Sequence, residues 1–180
     1  YNILKKCELT FTEFEKIKKY FDKKKIIFFS TPFDIESINF LEKIKVKMYK
    51  VASFDIANFQ ILKRIVSTKK PTIISTGMAT LKEIKKTYKL FKKNKVEIAL
   101  LHCISSYPNK DITSYLSNIQ FMRKNFNCPI GFSDHTNDIK TSIYSSILGA
   151  QIIEKHFMAS NKSKCVDAPV SIDPIKFKKM

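Results

Sequence analysis

Glycine is nearly missing from this chain: Gly77, Gly131 and Gly149 are all that 180 residues carry. A doubly wound α/β fold usually shows a glycine-rich phosphate turn after an early strand, and this sequence has no place for one. Arginine is scarcer still, with Arg64 and Arg123 alone among 33 basic residues. The net charge of +17 is therefore a lysine charge, spread along the presumed solvent faces of helices without any nucleic-acid-binding motif. It reads as a solvated surface rather than as a nucleic-acid partner site. The cysteines Cys7, Cys103, Cys128 and Cys165 form no C-x-x-C pair, which argues against a zinc ribbon and a small disulfide scaffold and fits a reducing, cytoplasmic setting. Apolar runs such as Glu97-Ile-Ala-Leu-Leu-His102 fall far short of the roughly 20 residues that a membrane helix needs. The sequence opens Tyr-Asn-Ile-Leu-Lys-Lys, with neither an initiator Met nor a signal-peptide core, and is expected to be a piece of something longer.

What is present is a rhythm. Short apolar runs at Ile26 to Ser30, Met48 to Ala52, Thr72 to Ser75, Glu97 to Cys103, Pro129 to Phe132 and Gln151 to His156 alternate with amphipathic helical patterns. Phe14, Ile17, Tyr20 and Phe21 recur at helical spacing, as do Ile84, Tyr88 and Phe91. Thr12 with Glu15 and Thr80 with Glu83 match the S/T-x-x-E capping box that opens a helix. Successive βα units with apolar strands imply a parallel sheet covered by helices. With no glycine-rich turn, the barrel is the favoured architecture. A complete (β/α)8 TIM barrel takes about 250 residues, so six units in 180 residues describe a partial one, a single domain over 1–180 with no linker dividing it.

In such barrels chemistry sits where strands run into the following loops, and the polar residues collect there. Strand ends read Ser30-Thr-Pro-Phe-Asp34, Tyr49-Lys-Val-Ala-Ser-Phe-Asp55, Ser75-Thr-Gly-Met78, His102-Cys-Ile-Ser-Ser-Tyr-Pro108, Ser133-Asp-His-Thr136 and Glu154-Lys-His-Phe157. His135 and His156 close consecutive strands, neighbours in a barrel, so two such imidazoles could bind one metal while leaving positions open for substrate oxygens. Histidines satisfied by ordinary hydrogen bonds are the competing reading. Lys50 and Lys155, also at strand ends, suit an anionic substrate, a Schiff-base role, or merely solvent. Ser53, Ser75, Ser105 and Ser133 are placed to donate to phosphate or carboxylate oxygens, although serine is also common in turns. His102 and Cys103 do not make a thiol nucleophile with its base, because adjacent strand residues point to opposite faces.

The motifs Phe29-Ser-Thr-Pro-Phe-Asp34, Tyr49-Lys-Val-Ala-Ser53, Lys70-Pro-Thr-Ile-Ile-Ser-Thr-Gly-Met78, Leu101-His-Cys-Ile-Ser-Ser-Tyr-Pro108, Gly131-Phe-Ser-Asp-His-Thr136 and Gly149-Ala-Gln-Ile-Ile-Glu-Lys-His-Phe157 occur in order along the chain. Together they resemble the sialic acid synthase family, including legionaminic and pseudaminic acid synthases. The resemblance implies an enzyme in which C3 of phosphoenolpyruvate attacks the open-chain aldehyde of an N-acyl sugar, water adds at C2, and phosphate leaves with C–O cleavage. It implies His135 and His156 as ligands of Mn2+, with Mg2+ or Co2+ as alternatives. Lys50, Ser53, Ser75, Ser105 and Ser133 fall on positions that hold phosphoenolpyruvate, Tyr107 and Asp167 on positions that line the sugar site, and Asp55 on a carboxylate position associated with proton handling.

Three departures accompany the resemblance. Asp55 stands where the family usually has Glu, Ser105 where some members have Asn, and Lys164-Cys-Val-Asp167 lacks the Gly-Pro of many relatives. Measured against the family, the chain lacks the first two βα units and the carboxy-terminal antifreeze-like domain, which in relatives completes the partner's active site in a homodimer. The chain alone is therefore expected to be inactive. The sugar that the resemblance implies is N-acetylmannosamine or a 2,4-diacetamido-6-deoxy hexose. A Schiff-base aldolase using Lys50 or Lys155, and a basic non-catalytic binding module, are the competing functions.

Overall fold

The computed structural model describes residues 5, 7–160 and 165–180. Residues 1–4 and 6 of the opening stretch, and Lys164 of the loop before Asp167, lie outside them.

Among the described residues the chain runs through elements that include, first, helix α1 (Phe11–Lys23) and helix α2 (Ile35–Lys43). It then alternates: β1 (Tyr49–Val51), α3 (Phe59–Ser67), β2 (Thr72–Ser75), α4 (Leu81–Lys93), β3 (Ile98–Cys103), α5 (Ser117–Asn125), β4 (Ile130–Asp134), α6 (Lys140–Ile147), β5 (Ile153–Phe157), β6 (Ser171–Ile172) and α7 (Pro174–Lys179). The strands pair in sequence order and every pair is parallel. Each crossover thus moves one step in the same direction, and the result is a curled parallel half-barrel rather than a sheet that reverses its winding.

The two faces of the sheet divide the labour. Val51, Ile74, Leu100, Ile130 and Phe132 point toward the helices and join Leu62, Ile65, Phe91 and Ile119 in the main core. Ile73, Ala99 and Leu101, one residue out of phase, point to the other face and form a separate small cluster with Met48 and Ile152. Period-two alternation accounts for both sets.

Two sequence expectations need correction. The first helix is capped by Thr10 with Glu13, not Thr12 with Glu15: the Thr10 hydroxyl accepts from the Glu13 N–H at 3.3 Å, and the Glu13 carboxylate accepts from the Thr10 N–H at 2.7 Å. Both pairs fit the capping pattern, but the earlier start puts Phe11 inside the helix, where it stacks on Phe40 at 4.1 Å. The box expected at Thr80 and Glu83 is present. Second, the apolar run from Ile26 forms no strand; only Ser30 bridges Tyr49, with its carbonyl accepting from the Lys50 N–H at 3.2 Å. The Ile26 N–H is already taken by the Phe21 carbonyl in the turn that ends α1. Sequence also passes over β6, which is only two residues long.

The shortage of glycine leaves a mark on these turns. Lys25, Lys45, Lys69 and Lys95, each just past a helix, adopt positive φ of 57°, 57°, 61° and 55°. After α1, α2 and α4 the next residue returns its N–H to the helix: Ile26 to Phe21, Val46 to Leu41 and Val96 to Phe91. This is the Schellman closure that glycine ordinarily serves, because a Cβ costs about 1–2 kcal/mol in the left-handed region. Glycine's larger loss of chain entropy offsets about half of that. Lys45→Gly and Lys95→Gly are accordingly expected to stabilise the fold by roughly 0.5–1 kcal/mol each, read as a higher midpoint of denaturant unfolding.

Candidate active site

At the carboxyl ends of the strands, the inward positions change from apolar to polar. Lys50, Ser75, Cys103, Ser133 and Glu154, one from each of β1 to β5, line a half-open cleft of about 590 Å3 with His135 and His156 beyond them. The same inward face that holds Ile73, Ala99 and Leu101 lower down thus becomes the chemical surface.

A polar chain crosses the floor. The Lys50 ammonium donates to the Ser75 hydroxyl at 2.7 Å and to the Val51 carbonyl at 3.1 Å, and lies 3.4 Å from the Glu154 carboxylate. The other Glu154 oxygen accepts from the Ser133 hydroxyl at 2.6 Å. On the far wall the Gly77 N–H donates to Ser53 Oγ at 3.1 Å. Gly77 has to be glycine for this approach: a Cβ there would meet the Cys103 carbonyl oxygen and Ser105 Oγ at 2.8 Å. Ser105 itself borders the cleft.

The imidazoles of His135 and His156 lie edge toward face with ring centroids 5.4 Å apart, and Tyr107 packs on both, stacked on His135 at 4.0 Å and edge-on to His156 at 5.6 Å. His135 Nδ1 is 2.8 Å from the Ile104 carbonyl, and His156 Nδ1 is 3.4 Å from Asp167 Oδ2. Both partners only accept, so each Nδ1 carries a proton and each Nε2 presents its lone pair when the ring is neutral. Burial holds His156 below the ordinary histidine pKa despite Asp167, which keeps that ring neutral. For His135 burial acts in the same direction, but the nearby Cys103 thiol and the Ile104 carbonyl outweigh it and raise its pKa. Burial also pushes the Cys103 thiol up, yet hydrogen bonding and charge from His135 bring it below the usual thiol value. Burial first, then the negative groups around it, push Tyr107 up to about 12.

This donor set fits a metal site of the open kind. An imidazole whose Nδ1 is engaged by a carbonyl or carboxylate is the usual form of a metal-ligating histidine. Among the described residues no cluster of three or more His, Cys, Asp or Glu is arranged to hold an ion, so two protein nitrogens would share the ion with substrate or water oxygens.

Several expected residues sit elsewhere. Asp55 is buried on the 3-10 turn after β1, with one oxygen accepting from Asn58 at 3.1 Å and the other lacking any partner; it is not among the residues lining the cleft. Asp167 lies beside His156 and its charge reaches Tyr107, but it is not among the residues lining the cleft. Lys155 borders the cleft, but its ammonium is turned into the protein, 3.2 Å from Asp134, with a side chain only 2% exposed. That placement removes it from the Schiff-base reading. His102 points outward and bonds the Ser114 carbonyl at 2.7 Å, while Cys103 faces inward, the opposite orientations that strand alternation implies. The carboxylate that sequence reasoning passes over is Glu154, and the same alternation identifies it: it shares a strand face with His156, two residues on, whereas Lys155 cannot.

The model of the NeuB family matches residues 1–180. This chain belongs to the NeuB family. An uncharacterized protein of Methanocaldococcus jannaschii is 40% identical over 181 residues, covering 100% of this chain and 54% of that protein. The N,N'-diacetyllegionaminic acid synthase of Campylobacter jejuni is 35% identical over 179 residues, covering 98% of this chain and 54% of the synthase. The crystal structure of an N-acetylneuraminic acid (sialic acid) synthetase from Leptospira borgpetersenii, in complex with citrate, superposes with a TM-score of 0.96 at 38% identity, over 99% of this chain and 62% of that one. The NeuB-family chain thus spans about half the length of the curated relatives it matches.

Proposed function

We propose that this NeuB-family chain forms the greater part of the catalytic barrel of a phosphoenolpyruvate-dependent synthase that makes a sialic-acid-like nonulosonic acid. The barrel closes with eight units in the complete protein, and the working form is a cytoplasmic homodimer. The reaction joins C3 of phosphoenolpyruvate to the aldehyde carbon of N-acetylmannosamine or a 2,4-diacetamido-6-deoxy hexose; water adds at C2 and inorganic phosphate departs with its bridging oxygen.

The observation that carries this reading is the ordered row of Lys50, Ser75, Ser133 and Glu154 facing two imidazoles across one cleft. Lys50 supplies the cation for phosphoenolpyruvate, and Ser53, Ser75, Ser105 and Ser133 supply hydroxyl donors for its phosphate and carboxylate oxygens; charge-assisted bonds of this kind are roughly twice as strong as neutral ones. His135 and His156 would hold Mn2+, which when bound polarises the sugar aldehyde toward carbon attack. Tyr107 would line the sugar side, its ring packed against both imidazoles. Asp167 holds the ring of His156 through Nδ1. Asp55 would handle protons through its buried, unpartnered carboxylate oxygen, although it does not line the cleft.

The test is phosphate release from phosphoenolpyruvate by the complete protein, with each sugar in turn and with Mn2+ present or removed by chelator. Release that requires both metal and one sugar is expected. Release indifferent to both would return the site to the Schiff-base or binding readings.

A further inference from the structure

Asp134 and Lys155 lie directly opposite each other in the β4–β5 register, and the next residue along the chain after each is one of the two imidazoles. Asp134 reaches Thr141 and Ser142 of α6, the Lys155 ammonium turns inward to meet it, and the two side chains are sealed from solvent, at 0% and 2% exposed. Their nitrogen and oxygen are 3.2 Å apart. Asp134 also accepts from the Thr136 N–H at 2.8 Å, from the Thr141 hydroxyl at 2.8 Å and from the Ser142 hydroxyl at 2.6 Å. The Lys155 ammonium donates to the Thr136 carbonyl and hydroxyl as well, and the Thr136 and Thr141 hydroxyls are 2.9 Å apart. The loop that leaves β4 and carries His135 is thus tied at Thr136 both to its own strand and to β5.

A buried ion pair contributes little to stability relative to apolar residues of the same volume, and its best-attested use is to specify one arrangement. Here the arrangement specified is the separation of His135 and His156. We propose that Asp134 and Lys155 are positioning residues for the two imidazoles: they act on metal affinity by fixing the β4 loop against β5, without touching metal or substrate. The inference rests on the two-histidine reading above.

The test measures Mn2+ binding to chelator-stripped complete protein by the EPR signal of the free ion, with no turnover involved. Lys155→Met is expected to weaken Mn2+ affinity by about 10- to 100-fold, the usual cost of losing support behind metal ligands, and Lys155→Arg to recover most of it. Should Lys155→Met fail to fold, Thr141→Val removes a single donor to Asp134 and is expected to give a smaller loss of the same sign. A lowered melting point with unchanged Mn2+ affinity in the variant that folds would overturn the proposal and leave the pair a purely structural one. Wild-type protein that binds no Mn2+, or a His135→Ala variant that binds it as tightly, would instead overturn the two-histidine reading and this inference with it.

Discussion

His135→Ala in the complete protein is expected to lower kcat/KM for phosphate release by about 10^2- to 10^3-fold while leaving the fold in place. Its ring provides one of two nitrogens facing the cleft and is itself oriented by the Ile104 carbonyl at 2.8 Å. Lewis-acid stabilisation of a developing alkoxide is worth several kcal/mol, and each 1.36 kcal/mol is tenfold in rate. The cost to folding is smaller, because His135 belongs to the cleft wall rather than to the helix-packed core. His102 supplies the control. It lies on the other face of the sheet, bonded to the buried Ser114 carbonyl, so His102→Ala is expected to cost about 1–3 kcal/mol of stability through an unsatisfied acceptor and to leave the chemistry nearly intact. Steady-state kinetics beside thermal melts of the two variants check this, and a His135→Ala enzyme within tenfold of wild type would contradict the assigned role.

Lys50→Met is the second large effect. Methionine matches the stem of lysine but leaves Ser75 and Glu154 without their cation, and the incoming phosphoenolpyruvate then meets the Glu154 carboxylate with no positive charge between them. Losing one member of a close charge pair costs about 2–5 kcal/mol, so a fall of at least about 30-fold in kcat/KM is expected, appearing mainly as a raised KM for phosphoenolpyruvate. Stability should change little, since Glu154 keeps 39% of its side chain in solvent and rehydrates. Wild-type protein treated with borohydride in the presence of phosphoenolpyruvate or sugar should show no trapped adduct at Lys50; an adduct would move this lysine from anion binding to Schiff-base chemistry.

Much of the architecture is legible in the sequence because parallel strands covered by helices read as short apolar runs. β2 falls on its expected bounds, and β3, β4 and β5 lie within a residue or two of theirs. The run at Ile26 carries the same signature and forms no ladder, because pairing depends on the neighbour, and β1 offers only three residues. The two-residue β6 has no periodicity to read. Strand-end position alone is enough to bring His135, His156, Lys50 and the serines to one cleft. The roles of Glu154 and Lys155 depend on which of two adjacent residues faces inward; the register of β5 decides it. The depth of Asp55 is set by a 3-10 turn that no spacing rule anticipates.

The lysines at positive φ bear on the charge of the molecule as well as on its turns. Lys25, Lys45, Lys69 and Lys95 carry four of the chain's positive charges at backbone positions where an uncharged glycine fits with less strain. None of them lines the cleft. The strongly basic character of the chain is thus partly separable from both its fold and its cleft: replacing all four would make it less adhesive toward polyanions such as nucleic acid or acidic polysaccharide, while the row of Lys50, Ser75, Ser133 and Glu154 stays as it is.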